Sequence, residues 1–184
     1  MQRYQYPHSI ENGAGERLTF LRLVEDPSGN WLEVENEVQP QSGPPMHTHH
    51  RQEESLTVVR GRIGVAIPGQ PDAFYEEGST VTFKPGQSHR FWNAGAAPLI
   101  CKGWVKPADN IEYFLTEIYK STKANGGREP DRFDAAYLLN RSRSEFDLSG
   151  IPPFVRKVIF PATIFIGKLA GKHRKFDDAP EAVR

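Results

Sequence analysis

Between residues 17 and 106 the chain is cut at short intervals by turn-forming clusters: Pro27-Ser28-Gly29-Asn30, Gly43-Pro44-Pro45, Pro68-Gly69-Gln70-Pro71 and Lys84-Pro85-Gly86. Each supplies a fixed or positive φ, so no long helix survives the punctuation. The intervening segments are rich in Val, Ile, Phe and Trp, and predict strands over 17–24, 31–39, 53–60, 62–68, 79–83, 89–94 and 98–106. In 31–39 the period of two is explicit. Leu32, Val34, Asn36 and Val38 fall in one row, and Glu33, Glu35 and Glu37 in the other. One face of that strand is wet and the other buried, and several short strands so spaced imply a barrel or sandwich.

The period becomes helical after Pro107. Asp109 with Glu112 three residues on has the form of a capping box, and Ile111, Phe114, Leu115, Ile118 and Thr122 make the stripe of a first helix ending at Asn125-Gly126-Gly127. A second helix is expected from about Pro130-Asp131 to Arg143. A third should carry Val155, Val158, Ile159, Ala162, Phe165, Ile166 and Leu169, with a kink at Pro161. The expected organisation is a β barrel over 1–106 and a helical C-terminal extension over 107–184.

Charge and cysteine content exclude several classes. With 23 Lys+Arg against 23 Asp+Glu, the chain lacks the basic excess that a nucleic-acid binder needs, so no nucleic-acid partner is expected. The single cysteine, Cys101, cannot form an internal disulfide or a thiolate cluster and reads as a packed strand residue. Met1 to Ile10 hold no apolar run, so a cytoplasmic location is expected. Residues 151–175 hold six basic residues and no acid around the apolar stripe. Packing on the barrel or at a homodimer interface is the favoured reading of that stripe, with contact to a membrane surface as the other.

The chemistry lies in the strand-rich part. His47-Thr48-His49 places two imidazoles on one face of an extended chain, Glu54 leads into the next strand, and His89 follows the Lys84-Pro85-Gly86 turn. Three imidazoles and a carboxylate suit one divalent transition metal per chain (Fe, Mn, Ni, Co, Cu or Zn) and leave positions open for water or substrate. Alternation places Gln52, Leu56 and Val58 inward with Glu54, and Phe91 and Asn93 inward with His89, while His50 points out. Asn36, Gln52, Phe83, Phe91 and Asn93 are thus candidates for the pocket, Asn36 either touching a ligand or satisfying backbone. His8 and His173 have no partners in sequence and read as surface residues.

Gly43 to Gly61 reads G-x3-H-x-H-x4-E-x6-G, and Gly78 to Asn93 reads G-x6-P-G-x2-H-x3-N. Together they resemble the two signature motifs of the cupin superfamily, over roughly residues 17–106. There are two departures: three residues rather than five separate Gly43 from His47, and Lys84 stands where proline is usual. The resemblance implies a mainly β, double-stranded β-helix or jelly-roll barrel, with His47, His49, Glu54 and His89 as metal ligands. The three-His-one-Glu set is similar to that of quercetinase-like members, which implies a metal-dependent dioxygenase, an oxidoreductase acting on a small aromatic or enolic molecule, with Glu54 as the catalytic base. The alternatives are a metal-dependent isomerase or decarboxylase, and a non-catalytic module that binds or senses a small molecule.

Overall fold

The computed structural model describes residues 3–183. Its strands are β1 (His8–Glu11), β2 (Glu16–Asp26), β3 (Gly29–Val38), β4 (His47–His49), β5 (Glu53–Arg60), β6 (Ile63–Ala66), β7 (Ala73–Tyr75), β8 (Thr80–Phe83), β9 (Ser88–Asn93), β10 (Leu99–Lys106) and β11 (Phe146–Leu148). All seven expected strands are present. The four others have only three or four residues, too few to show a period. The strands form two antiparallel sheets, ordered β1-β2-β3-β10-β5-β8 and β11-β4-β9-β6-β7, which face each other as a jelly roll. Alternation in β3 is as expected, with Leu32, Val34, Asn36 and Val38 all buried.

The interior holds two apolar clusters. One joins Val38, Leu56, Val58, Ile63, Val65, Phe83, Phe91, Leu99 and Cys101 inside the barrel. The other joins Leu18, Phe20, Leu32, Val34 and Val105 to Ile111, Phe114, Phe133, Leu138 and Phe146 of the segment after residue 106. That segment is built into the barrel, because β11 pairs with β4 as the outer strand of the second sheet.

Helix α1 spans Ile111–Ala124 and α2 spans Arg132–Arg141. The Asp131 carboxylate caps α2, accepting from the backbone N–H groups of Phe133 (2.9 Å) and Asp134 (3.4 Å). The capping box expected at Asp109 does not form. Asn110 stands at the N-cap without a side-chain capping bond, Asp109 takes φ 40° and pairs with Arg51 at 3.1 Å, and Glu112 serves β1 instead. The Glu112 carboxylate accepts from Tyr6 Oη at 2.7 Å and lies 2.5 Å from His8 Nε2. His8 is therefore a half-buried packing residue rather than a free surface one. His173 is also half-buried, with its Nδ1 enclosed and unpartnered.

The third helix is two segments. Val155–Ile159 form a π-helical turn and α3 spans Phe160–Leu169. The Phe160 N–H donates to Val155 O, and Pro161 falls in the first turn of α3, where its missing N–H is not needed, so the wide turn replaces the expected kink. Gly167 lets α3 lie against α2: a Cβ there would fall 2.0 Å from the Phe133 ring. That contact turns the expected stripe away from the body of the chain. Phe165, Ile166 and Leu169 are 64, 66 and 75% exposed, so this face does not pack on the barrel.

Candidate metal centre

Strand β4 carries His47 and His49 with Thr48 between them, and it lies between β9 and β11. His47 is the Cα partner of His89 on one side and of Leu148 on the other, while Phe146 pairs with His49. The approach of the loop before β4 depends on Gly43. It takes φ 155°, and a Cβ would meet Phe91 O at 2.2 Å, so only glycine lets this loop lie against β9. The loop is held there by Gln41 N–H donating to Asn93 O and Asn93 N–H donating to Ser42 O, each at 3.0 Å.

The ligand atoms of His47, His49, Glu54 and His89 all lie within 4.8 Å of one another. From Glu54 Oε2 the distances to Nε2 are 3.1 Å for His89, 3.3 Å for His49 and 3.8 Å for His47. Donors around one cation at about 2.1 Å sit about 3.0–3.5 Å apart, so the spacing is that of a first shell drawn slightly open at His47. The ring orientations agree. His47 Nδ1 lies 2.9 Å from Pro45 O, and His89 Nδ1 lies 2.9 Å from Gln87 O. A carbonyl oxygen only accepts, so both Nδ1 atoms donate, and in the neutral rings both Nε2 lone pairs face the Glu54 carboxylate. Lone pairs aimed at one point in a buried site repel unless a positive charge joins them. The residues present therefore fit a metal ion.

Electrostatics set the same protonation states. Burial alone would raise the Glu54 pKa, but in the metal-free site hydrogen bonds donated by His47, His49 and His89, whenever their Nε2 atoms carry a proton, hold the carboxyl well below the usual carboxylate range. Burial lowers the His49 pKa against the opposing pull of Glu54. An anionic carboxylate and a neutral imidazole are the forms that coordinate.

Phe83 stacks on His89, with centroids 3.7 Å apart and an interplanar angle of 5°. Asn36 and Gln52 are buried, and both Asn36 Oδ1 and Gln52 Oε1 lack a hydrogen-bond partner. Gln52 Nε2 approaches Glu145 Oε2 at 3.4 Å, and Glu145 also accepts from Asn110 N–H at 2.8 Å. Phe91 packs into the barrel cluster. Asn93 does not serve a pocket: its amide donates to Val38 O and Ala97 O and its Oδ1 accepts from Gly95 N–H, all at 2.8 Å, so its polar atoms are committed to backbone. His50 is exposed, as expected. Cys101 is buried, and burial with the nearby Glu54 charge pushes its thiol up to about 12. Open cavities of about 400 and 420 Å³ lie over the helical segment, away from the four side chains.

Sequence reasoning missed the supports of this centre. Phe146 is separated from β4 by nearly a hundred residues and sits in a three-residue strand. The two carbonyls that orient His47 and His89 did leave a signal: each belongs to the residue two positions before its histidine, Pro45 ending one turn cluster and Gln87 directly following Lys84-Pro85-Gly86.

Residues 34–104 match the family described as Cupin_2, cupin domain. Over these residues the chain carries a cupin domain. It is 26% identical over 156 residues to oxidoreductase iacF of Pestalotiopsis fici, covering 76% of this chain and 74% of that protein. It is 31% identical over 68 residues to the probable oxidoreductase virH of Hypocrea virens, covering 36% of this chain and 31% of that one. Among solved structures, it resembles a conserved double-stranded β-helix protein from Klebsiella pneumoniae at 21% identity and TM-score 0.44, over 58% of this chain and 83% of that one. The polyketide cyclase RemF from Streptomyces resistomycificus resembles it at 21% identity and TM-score 0.46, over 57% of this chain and 78% of that one.

Proposed function

We propose that this cupin is a metal-dependent oxidoreductase of dioxygenase type acting on a small aromatic or enolic compound. The observation that carries the reading is the convergence of three imidazole Nε2 atoms on the Glu54 carboxylate, with two of the rings fixed by backbone carbonyls. The oxidoreductase names of the two relatives support the reaction class. His47, His49, Glu54 and His89 hold one divalent transition metal. Bound there, it supplies Lewis acidity toward an enolic or phenolic oxygen and redox access to dioxygen.

The chain's own residues supply the rest. Glu54, kept anionic, accepts the substrate's acidic proton as its oxygen approaches. The Phe83 face and the barrel cluster exclude water from one side. Asn36 Oδ1, a buried acceptor without a partner on the inward row of β3, takes a hydroxyl donor of the substrate.

The test is reconstitution of metal-stripped protein with Fe, Mn, Ni, Co, Cu or Zn, followed by dioxygen uptake with flavonols, β-diketones and phenols. Uptake with a redox-active metal, abolished in Glu54→Gln, is expected. Metal-dependent conversion without uptake of dioxygen would replace the reading with an isomerase or decarboxylase. An intact compound bound stoichiometrically and never converted would make the protein a binding or sensing module.

A further inference from the structure

The face of the chain built by Phe154, Val158, Ile159, Phe165, Ile166 and Leu169 is apolar and open, each residue being at least 43% exposed. These six lie on one side of the π-helical turn and α3, while the other side is occupied: Gly167 is seated on Phe133 and Phe160 packs against the shared core. Arg156 reaches back to Asp147. The exposed side chains are thus a continuous apolar face rather than scattered surface residues.

The charge around that face identifies its occupant. Residues 151–175 contain six basic side chains and no acidic one. Arg156, Lys172 and Lys175 pair with Asp147, Asp131 and Asp134, whereas Lys157, Lys168 and Arg174 are exposed and make no ion pair among the described residues. A second copy docking through this face by two-fold symmetry would set the same basic cluster against itself, with no acid from 151–175 to answer it. An acidic lipid surface meets both features, taking the large apolar side chains below the headgroups and the lysines at phosphate level. No helix of the described residues is long and apolar enough to cross a membrane, so the contact is in-plane.

We propose that this face docks the cupin on an anionic lipid surface. Phe154, Phe165, Ile166 and Leu169 are the inserting residues, and Lys157, Lys168 and Arg174 select acidic headgroups. The metal centre is built on β4, β5 and β9, apart from this helical face.

Flotation of the full chain with vesicles of phosphatidylcholine, with or without phosphatidylglycerol, tests this, alongside the oligomeric state by light scattering. The bound fraction should rise at least about tenfold with phosphatidylglycerol and fall as salt is added. Phe165→Glu/Ile166→Glu should abolish binding, and Lys157→Glu/Lys168→Glu should reduce it by about tenfold or more, with melting temperature and metal content unchanged in both. Equal binding to neutral and acidic vesicles, or none to either, overturns the proposal. So does a wild-type dimer that Phe165→Glu/Ile166→Glu converts to monomer, because the occupant is then a second copy.

Discussion

The Phe83 ring lies flat on the His89 imidazole, with centroids 3.7 Å apart and planes 5° apart. His89 is thereby held on two sides, by the phenyl face and by the Gln87 carbonyl at Nδ1. Orientation of this kind around a metal ligand contributes about 10–100-fold in affinity. Phe83→Leu keeps an apolar side chain in place but loses the flat contact, so it should bind metal about tenfold more weakly, measured by competition with a chelator, while remaining folded. His89→Ala should lose the metal altogether. Wild-type affinity in Phe83→Leu would mean that the carbonyl alone orients the ring.

The stability of the metal-free protein should depend on pH through His49. Burial holds its pKa below the ordinary imidazole value, so the folded chain takes up this proton less readily than the unfolded chain. The associated stability is fully present above about pH 6.5, the unfolded imidazole value, and is lost as pH falls from there toward the folded value. Glu54 acts in the same sense at lower pH, because its depressed pKa gives stability that disappears as pH drops through and below the usual carboxylate range. Melting of chelator-treated protein across this interval should show the decline, and His49→Gln should flatten its upper part. An identical decline in that variant would assign the effect to other groups.

Four side chains from β4, β5 and β9 were legible because each carries its geometry in its spacing. His47 and His49 share a face on an extended chain, and Glu54 and His89 begin inward rows that also contain Leu56 and Phe91. What escaped depends on long-range partners. Asp109 and Glu112 have the local form of a capping box, yet Arg51 and the Tyr6–His8 pair claim their carboxylates. Phe146 belongs to a strand too short to announce itself. Asn93 lies inward as alternation requires, but three backbone bonds occupy it. The apolar stripe of α3 was readable as a stripe; its exposure follows from Gly167 seating the opposite side of the helix on Phe133, a choice that periodicity does not contain.

Cys101 should be inert in the native protein. Its thiol is enclosed in the barrel cluster, and with its pKa pushed up to about 12 almost none of it is the nucleophilic thiolate near neutral pH. A disulfide reagent at about pH 8 should label it at a rate set by opening of the barrel, and at once in denaturant. Rapid labelling of the folded chain would show that β10 opens readily beside Glu54. Cys101→Ser should lower stability by about 1–3 kcal/mol by burying a hydroxyl among apolar neighbours.

Asn36 separates stability from function. On β3 it sits between Val34 of one apolar cluster and Val38 of the other, and its Oδ1 is buried with no partner. Such an acceptor costs about 1–3 kcal/mol as long as no donor reaches it. Asn36→Leu should therefore raise the melting temperature of the free protein and leave metal content unchanged. If a substrate hydroxyl donates to Oδ1, the same variant should raise KM, while Asn36→Asp, which keeps the acceptor, should retain substrate affinity better than Asn36→Leu does. Destabilisation by Asn36→Leu would mean that Asn36 satisfies the barrel itself, and unchanged kinetics would remove it from the substrate site.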